Sequence, residues 1–270
     1  MTEANTCPYC LIEQFTDCDA YWRRWERRGL WTILIALLAL GAVAVAHAAP
    51  VPVVWFVYDQ SMIAPVATLA EKAPVTAVIN PNNGPGSTRD AAYANAVDKW
   101  RKIKGIKLMA YVDLAIWKQD RLVAYKTPAQ VRAEIAAYNS IYGITTSRDG
   151  IWYDDASLTS SAVQAFFAVA TVSKLDVANP GEPVPAKQWL RKLPLRLCEF
   201  EDPFVVKSPP VTTPGAVWIC FVTSNQIPAA LTAGRKASVS MMGWEALERH
   251  HNGEFQRPPL WWKNLVNLNQ

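Results

Sequence analysis

Two adjacent carboxylate pairs, Asp154-Asp155 and Glu201-Asp202, are the residues of this 270-residue chain best suited to chemistry. Neighbouring carboxylates repel one another as anions, so their pKa values split and one can carry a proton while another stays ionised. Cleavage of a glycosidic bond needs that division: one carboxyl protonates the leaving oxygen and a second attacks the anomeric carbon or activates water. Structural ion pairing with Arg or Lys is the competing use of such residues.

Other reactive types are scarce. The three histidines are His47, His250 and His251, too few in the body of the chain for a histidine-rich metal site or a Ser/His/Asp triad, and neither a metal nor any other cofactor is expected. Asn80-Pro-Asn-Asn-Gly-Pro-Gly86 looks like a phosphate loop but lacks the following Gly-Lys-Ser/Thr, which argues against nucleotide binding. It suits a rigid turn, one that could also present Asn80 or Asn82 to sugar hydroxyls. The net charge is only +4 and no long Lys/Arg run interrupts the body, so a nucleic-acid partner is not expected. Twelve Trp and nine Tyr supply core filler and potential platforms for sugar rings.

Positioning these residues falls to an alternation of short β-rich runs and helical stretches, the pattern of a parallel sheet. Strands are predicted at 52–58, 75–80, 106–113, 149–154, 175–179, 194–201, 216–223 and 237–243, and helices at 61–71, 90–103, 128–141, 158–172 and 228–235. Eight strands in this length imply a (β/α)8, TIM-like barrel with some helices shortened, whose chemistry lies at the carboxyl ends of the strands. Tyr58-Asp59, Asn80, Tyr111, Asp113, Asp154-Asp155, Asn179, Glu199 and Glu201-Asp202 all collect there. Strand alternation puts Tyr111 on one face with Asp113 and Glu199 on one face with Glu201. Asp154 and Asp155 should diverge unless the chain has already turned into its loop.

Upstream, Arg23-Arg-Trp-Glu-Arg-Arg28 precedes an apolar run over 30–46, and Ala46-His47-Ala48 offers the small residues of a cleavage site. The reading is a cytoplasmic or leader segment over 1–29, a signal peptide or signal anchor over 30–48, and one barrel domain over 49–270. The body is therefore expected to be exported, whether secreted, periplasmic or anchored in a membrane through 30–46 and facing outside the cytoplasm. Cys7 and Cys10 have zinc or redox spacing, but with only Cys18 nearby an unstructured leader is the simpler reading. Cys198 and Cys220 could bridge in an oxidising compartment or remain buried thiols.

Val78-Ile-Asn-Pro-Asn-Asn-Gly-Pro-Gly-Ser87 resembles the N-P-x-x-G-P-G segment of the spherulin-4-like (spherulation-specific family 4) proteins. The resemblance continues in order through Tyr111-Val-Asp113, Gly150-Ile-Trp-Tyr-Asp-Asp155, Ala178-Asn-Pro-Gly181 and Phe200-Glu-Asp202. It implies a (β/α)8 glycoside hydrolase that cuts α-1,4-linked galactosamine or N-acetylgalactosamine polymers of exopolysaccharide and biofilm matrix. The family usually has Asp-Glu where this chain has Asp154-Asp155. A carboxyl shortened by one methylene retracts by about 1.5 Å, and misplacement on that scale can cost about 100-fold in rate.

On this footing Glu201 is expected to donate the proton, Asp154 to act as nucleophile or base, and Asp155 to help hold the sugar, with the roles interchangeable on sequence alone. Substrate contacts are expected from Tyr58, Asn80, Asn82, Tyr111, Asp113, Tyr153, Asn179 and Asp202, with one or two of the aromatics Tyr58, Tyr111, Trp152 and Tyr153 touching sugar and the others packing. The partner is a polysaccharide, and a monomer is expected although nothing in the sequence marks the oligomeric state. The alternative function is a weakened or inactive glycan-binding envelope protein on the same barrel.

Overall fold

The computed structural model describes residues 51–246 except 59, 119–120, 183, 204–211 and 223–225. The expected leader and export segment, Cys7, Cys10, Cys18, His250-His251 and Trp261-Trp262 lie outside the described residues. No helix among the described residues is long and apolar enough to cross a membrane.

Eight parallel strands close into a barrel. They are β1 (Val53–Val57), β2 (Val75–Ile79), β3 (Ile106–Asp113), β6 (Gly150–Asp154), β7 (Val177–Ala178), β8 (Arg196–Pro203), β9 (Val217–Val222) and β10 (Met241–Ala246). Neighbours pair in the order β1, β2, β3, β6, β7, β8, β9, β10 and back to β1. Runs such as Val-Val-Trp-Phe-Val in β1 are β-branched and aromatic throughout, as strands buried on both faces require. Side chains divide by parity. Val54, Val78, Met109, Tyr111, Trp152, Val177, Cys198, Val217, Ile219 and Met241 pack together inside the barrel. Residues of opposite parity, such as Trp55, Ala77, Ala110, Tyr153 and Trp218, pack outward in the layer shared with the helices. Cys198 and Cys220 are both buried, on opposite faces of the wall, and are not joined to each other.

Helices α1 (Ile63–Ala70), α2 (Ala91–Trp100), α3 (Pro128–Tyr142), α4 (Ser161–Val169) and α5 (Ile227–Lys236) form the outer layer. Their starts follow the expected chemistry: Asp90 and Ser160 cap α2 and α4, and Thr127 with Gln130 forms a capping box ahead of Pro128 in α3. Among the described residues between β7 and β8 the one helical piece is a short 3-10 segment, Trp189–Lys192.

Three elements differ from expectation. β7 is shorter because Asp176 accepts hydrogen bonds from the backbone N–H groups of Ile151 and Ser173, so a side chain replaces part of the strand ladder. β10 begins later because Ala237 still bonds back to Ala233 of α5 and Ser238 adopts a left-handed conformation at φ 55°. An antiparallel hairpin, β4 (Ala115–Lys118) with β5 (Arg121–Tyr125), was not anticipated.

Gly150 opens β6 where the carbonyl of Leu175 and the methyl of Met109 leave no room for a Cβ. Gly150→Ala should therefore destabilise the barrel by about 1–3 kcal/mol through overpacking, read as a lower urea midpoint at unchanged m-value.

Candidate active site

Inward parity brings six polar residues of different strands and strand ends to the barrel mouth: Tyr111 and Asp113 from β3, Asp154 from β6, Asn179 after β7, Glu201 from β8 and Asn80 after β2. The central contact is made by Asn179. Its Nδ2 donates to Asp154 Oδ1 and to Glu201 Oε2, both at 2.7 Å. Its Oδ1 accepts from the Gly181 N–H at 3.2 Å, which orients the amide so that both of its N–H bonds face the carboxylates. A single nitrogen bound to both holds these two oxygens within twice one hydrogen-bond length of each other. The Tyr111 hydroxyl donates to the other Asp154 oxygen at 2.6 Å.

Glu201 reaches this position through a β-bulge. Cys198 pairs with Val217 and Glu201 with Ile219, so three residues of β8 span the same length as two of β9. Uninterrupted alternation from the inward Cys198 would have pointed Glu201 outward. Glu199, expected on the same face as Glu201, is the extra residue. Its carboxylate is tied to Arg191 at 2.5 Å, to the Thr213 hydroxyl at 2.6 Å and to the Thr213 N–H at 2.8 Å.

Asp155 follows the last residue of β6 in a left-handed conformation, φ 49°, which Asp tolerates better than most side chains. The chain has thus turned into its loop, and the Asp155 carboxylate accepts from the indole N–H of Trp117 on β4 at 2.5 Å. Asp113 accepts from the Ala115 N–H at 2.7 Å and from Asn83 Nδ2 at 3.4 Å. Trp117 and Asn83 had not been singled out. Spacing alone does not tie Trp117 to a residue 38 positions away, although an aromatic just beyond a strand end was a usable sign.

The remaining candidates are dispersed. Tyr58 packs face to face with Phe56 and edge-on against Tyr111 at the rim. Asn80 is buried and its Oδ1 accepts from the Gly84 N–H at 2.8 Å, closing the turn, while Asn82 is exposed. Tyr153 does not reach the mouth: it has outward parity and packs against Phe166 and Phe167 of α4. Trp152 lies wholly inside the barrel. The backbone of Asp202 pairs with Cys220, and its side chain lies outside the described residues.

Every shifted carboxyl at the mouth is pushed upward. Burial is the largest cause for Asp154, opposed by the Tyr111 and Asn179 donors and assisted by the charge of Asp155. Burial followed by the Asp154 charge raises Glu201 to about 7. Glu201 as a residue is solvent-exposed, which discounts the burial contribution and leaves the Asp154 charge as the cause that stands. Asp113 rises to about 7, chiefly through burial, with Asp155 and Asp154 adding to the rise and the Ala115 N–H and Lys126 opposing it. Asp154 receives two donors and Glu201 one, which makes Asp154 the first of the pair to ionise and leaves the proton on Glu201.

A cavity of about 320 Å³, lined in part by Thr76, Arg101, Lys107, Arg148 and Arg196, lies at the opposite, amino-terminal end of the strands. Asp149 there is bound by Arg101 and Arg148, and that end of such barrels serves stability. Among the described residues no group of His, Cys, Asp or Glu is arranged to hold a metal ion.

The sequence profile of spherulation-specific family 4 matches residues 60–211, more than half of the chain. The chain belongs to this family. Its fold is shared with Sph3 of Aspergillus clavatus, whose crystal structure is of a complex with GalNAc: 19% identity, 83% of this chain and 98% of that one covered, TM-score 0.59. A putative fructose-1,6-biphosphate aldolase from Coccidioides immitis also aligns, at 11% identity over 86% of this chain and 91% of that one, with a TM-score of 0.33. No curated protein sequence matches the chain. The family's motif segments after β2, in β3, β6 and β8, and after β7 all border the mouth.

Two outcomes follow from this geometry. Glu199→Ala leaves Arg191 with the Thr213 hydroxyl and the carbonyls of Val184 and Pro185 as acceptors but frees the bulge, so kcat should fall about 10- to 100-fold while the far-UV CD spectrum is kept. Asp113, raised from 3.8 to about 7, favours folding while protonated. Its contribution is complete below its unfolded pKa and is lost as pH rises through about 7. The Tm of Asp113→Asn relative to wild type should accordingly be more favourable at pH 8 than at pH 5.

Proposed function

We propose that this member of the spherulation-specific family 4 is an exported endo-acting glycoside hydrolase acting on exopolysaccharide that contains α-1,4-linked galactosamine or N-acetylgalactosamine. The observation that carries the proposal is the Asn179 amide joining Asp154 to Glu201. It supports a pair in which one carboxyl is ionised and the other protonated, the requirement for glycosidic cleavage. The sugar and linkage rest on the family resemblance, and the GalNAc bound by Sph3 is in keeping with them. Export rests on the basic and apolar segments of the N-terminal region.

In this reading Glu201 gives its proton to the glycosidic oxygen as the bond from the anomeric carbon breaks. Asp154, held by Tyr111 and Asn179, bonds to that carbon as the electron pair departs with the leaving sugar. Water then bonds to the anomeric carbon, giving a proton to Glu201 as the bond to Asp154 breaks and its electron pair returns to the carboxylate. Retention is the proposed outcome, because one amide nitrogen bonds an oxygen of each carboxyl; it calls for carboxyl groups about 5–5.5 Å apart, whereas inversion calls for about 6.5–9.5 Å. A weakened, glycan-binding role is the second reading, favoured by Asp155 standing where the family usually has Glu.

Purified protein should release reducing ends from such polymers with retained anomeric configuration by NMR, and Glu201→Gln should lower kcat about 10²- to 10⁴-fold. Equal release by wild type and Glu201→Gln would remove Glu201 from the mechanism. Retention of polymer in a pull-down without any shortening by wild type would establish the binding role instead.

A further inference from the structure

The β4–β5 hairpin leaves β3 immediately after the mouth. The Ala115 N–H bonds Asp113, the Leu114 N–H bonds the Asp154 carbonyl, and the Lys126 N–H returns to the Leu114 carbonyl. Its base is therefore fastened among the acidic residues. Beyond that base it carries an apolar surface that nothing among the described residues covers. Trp117 is 46% exposed and Leu122, paired opposite it, 43%; Val123, the unpaired residue at the hairpin's irregularity, is 55% exposed. Such residues seldom cluster on one short hairpin of a water-facing surface without a partner.

Trp117 is also the residue whose indole N–H holds Asp155. An indole has a single N–H donor, and that donor is committed to the carboxylate, so what remains for a ligand is the π face. A pyranose ring suits that remainder: its C–H face is apolar while its hydroxyls lie around the edge. A ring lying on Trp117 would bring its polar edge to Asp155, and a protonated amine on the ring would add a cation–π attraction.

We propose that Trp117 is a sugar platform beside the cleavage point, binding the polymer unit on the hairpin side of the scissile bond, and at the same time the positioning residue for Asp155. The proposal rests on the glycan reading of the mouth. Trp117 couples binding to chemistry, because the side chain that carries the sugar also fixes a carboxylate one methylene shorter than the family's usual Glu. The indole bond takes over part of the positioning that the longer side chain would provide.

Two substitutions separate the roles. Trp117→Phe keeps an aromatic face and loses the N–H, whereas Trp117→Ala loses both. In an Asp154→Asn background, which suppresses cleavage, co-sedimentation is measured with an α-1,4-linked galactosamine/N-acetylgalactosamine polymer, chitosan and a neutral galactan. Trp117→Ala should weaken retention of the bound polymer about 10-fold and Trp117→Phe by no more than about 3-fold, since removing the stacking face costs on the order of a factor of ten. With Asp154 intact, Trp117→Phe should lower kcat about 10-fold at nearly constant KM, and Trp117→Ala should raise KM as well. Thermal unfolding within a few degrees of the parent excludes misfolding as the cause. Undiminished binding by Trp117→Ala, with the parent binding normally, overturns the platform alone. An unchanged kcat in Trp117→Phe overturns the positioning of Asp155. A parent protein that retains none of the three polymers overturns the glycan reading together with the platform.

Discussion

In a closed parallel barrel each strand can present only alternate side chains to the interior, and the mouth of this protein is built within that limit. β3 delivers Tyr111 and Asp113 by simple alternation from Met109, and β6 delivers Asp154 from Trp152. β8 cannot deliver Glu201 from Cys198 in this way, because the two lie three residues apart. The bulge at Glu199 supplies the missing half-period. Glu199 itself is bound away from the mouth by Arg191 and Thr213. Were β8 to run through Glu199 as a regular strand, Glu201 would point outward and the mouth would lose its second carboxylate.

The mouth gathers Asp113, Asp154, Asp155 and Glu201, and most of the groups that hold them are neutral. Tyr111, Asn179, Trp117, Asn83 and the Ala115 N–H all donate to these carboxylates. The nearby cation Lys126 forms an ion pair with Glu134 at 2.7 Å. Neutral donors stabilise an anion without neutralising it, so burial and the neighbouring charges still raise Asp113, Asp154 and Glu201. A full set of ion pairs would instead have pulled these pKa values down. Asn179 therefore both locates the two carboxylates and leaves their titration coupled.

The two layers of the barrel divide the other tasks. Outward aromatics such as Tyr153 bind the wall to α4, and the capped helices fix the spacing of the strands. The hairpin after β3 belongs to neither layer. It stands at the rim with its base bonded into the site and its apolar residues turned to solvent. Loops at the carboxyl ends of barrel strands are where such folds vary their specificity.

Much of this was legible in the chain itself. β-branched runs separated by helical periods specified eight strands and five helices, because burial on both faces and capping are local demands that residue types meet directly. Tyr111, Asp113, Asp154, Asn179 and Glu201 could be placed at strand ends for the same reason. Their grouping could not, because it depends on inward or outward parity, and parity changes wherever one residue is inserted or a strand ends early. Tyr153 was misplaced by that rule, and Glu199 and Glu201 were assigned to one face because a bulge has no local signature here. Trp117 became part of the site only when β4 folded back over the strand ends. The amino-acid sequence thus determined the elements and the chemistry available at their ends. Tertiary structure alone decided which carboxylates meet, because hydrogen bonds between strands tens of residues apart exist only once the barrel has closed.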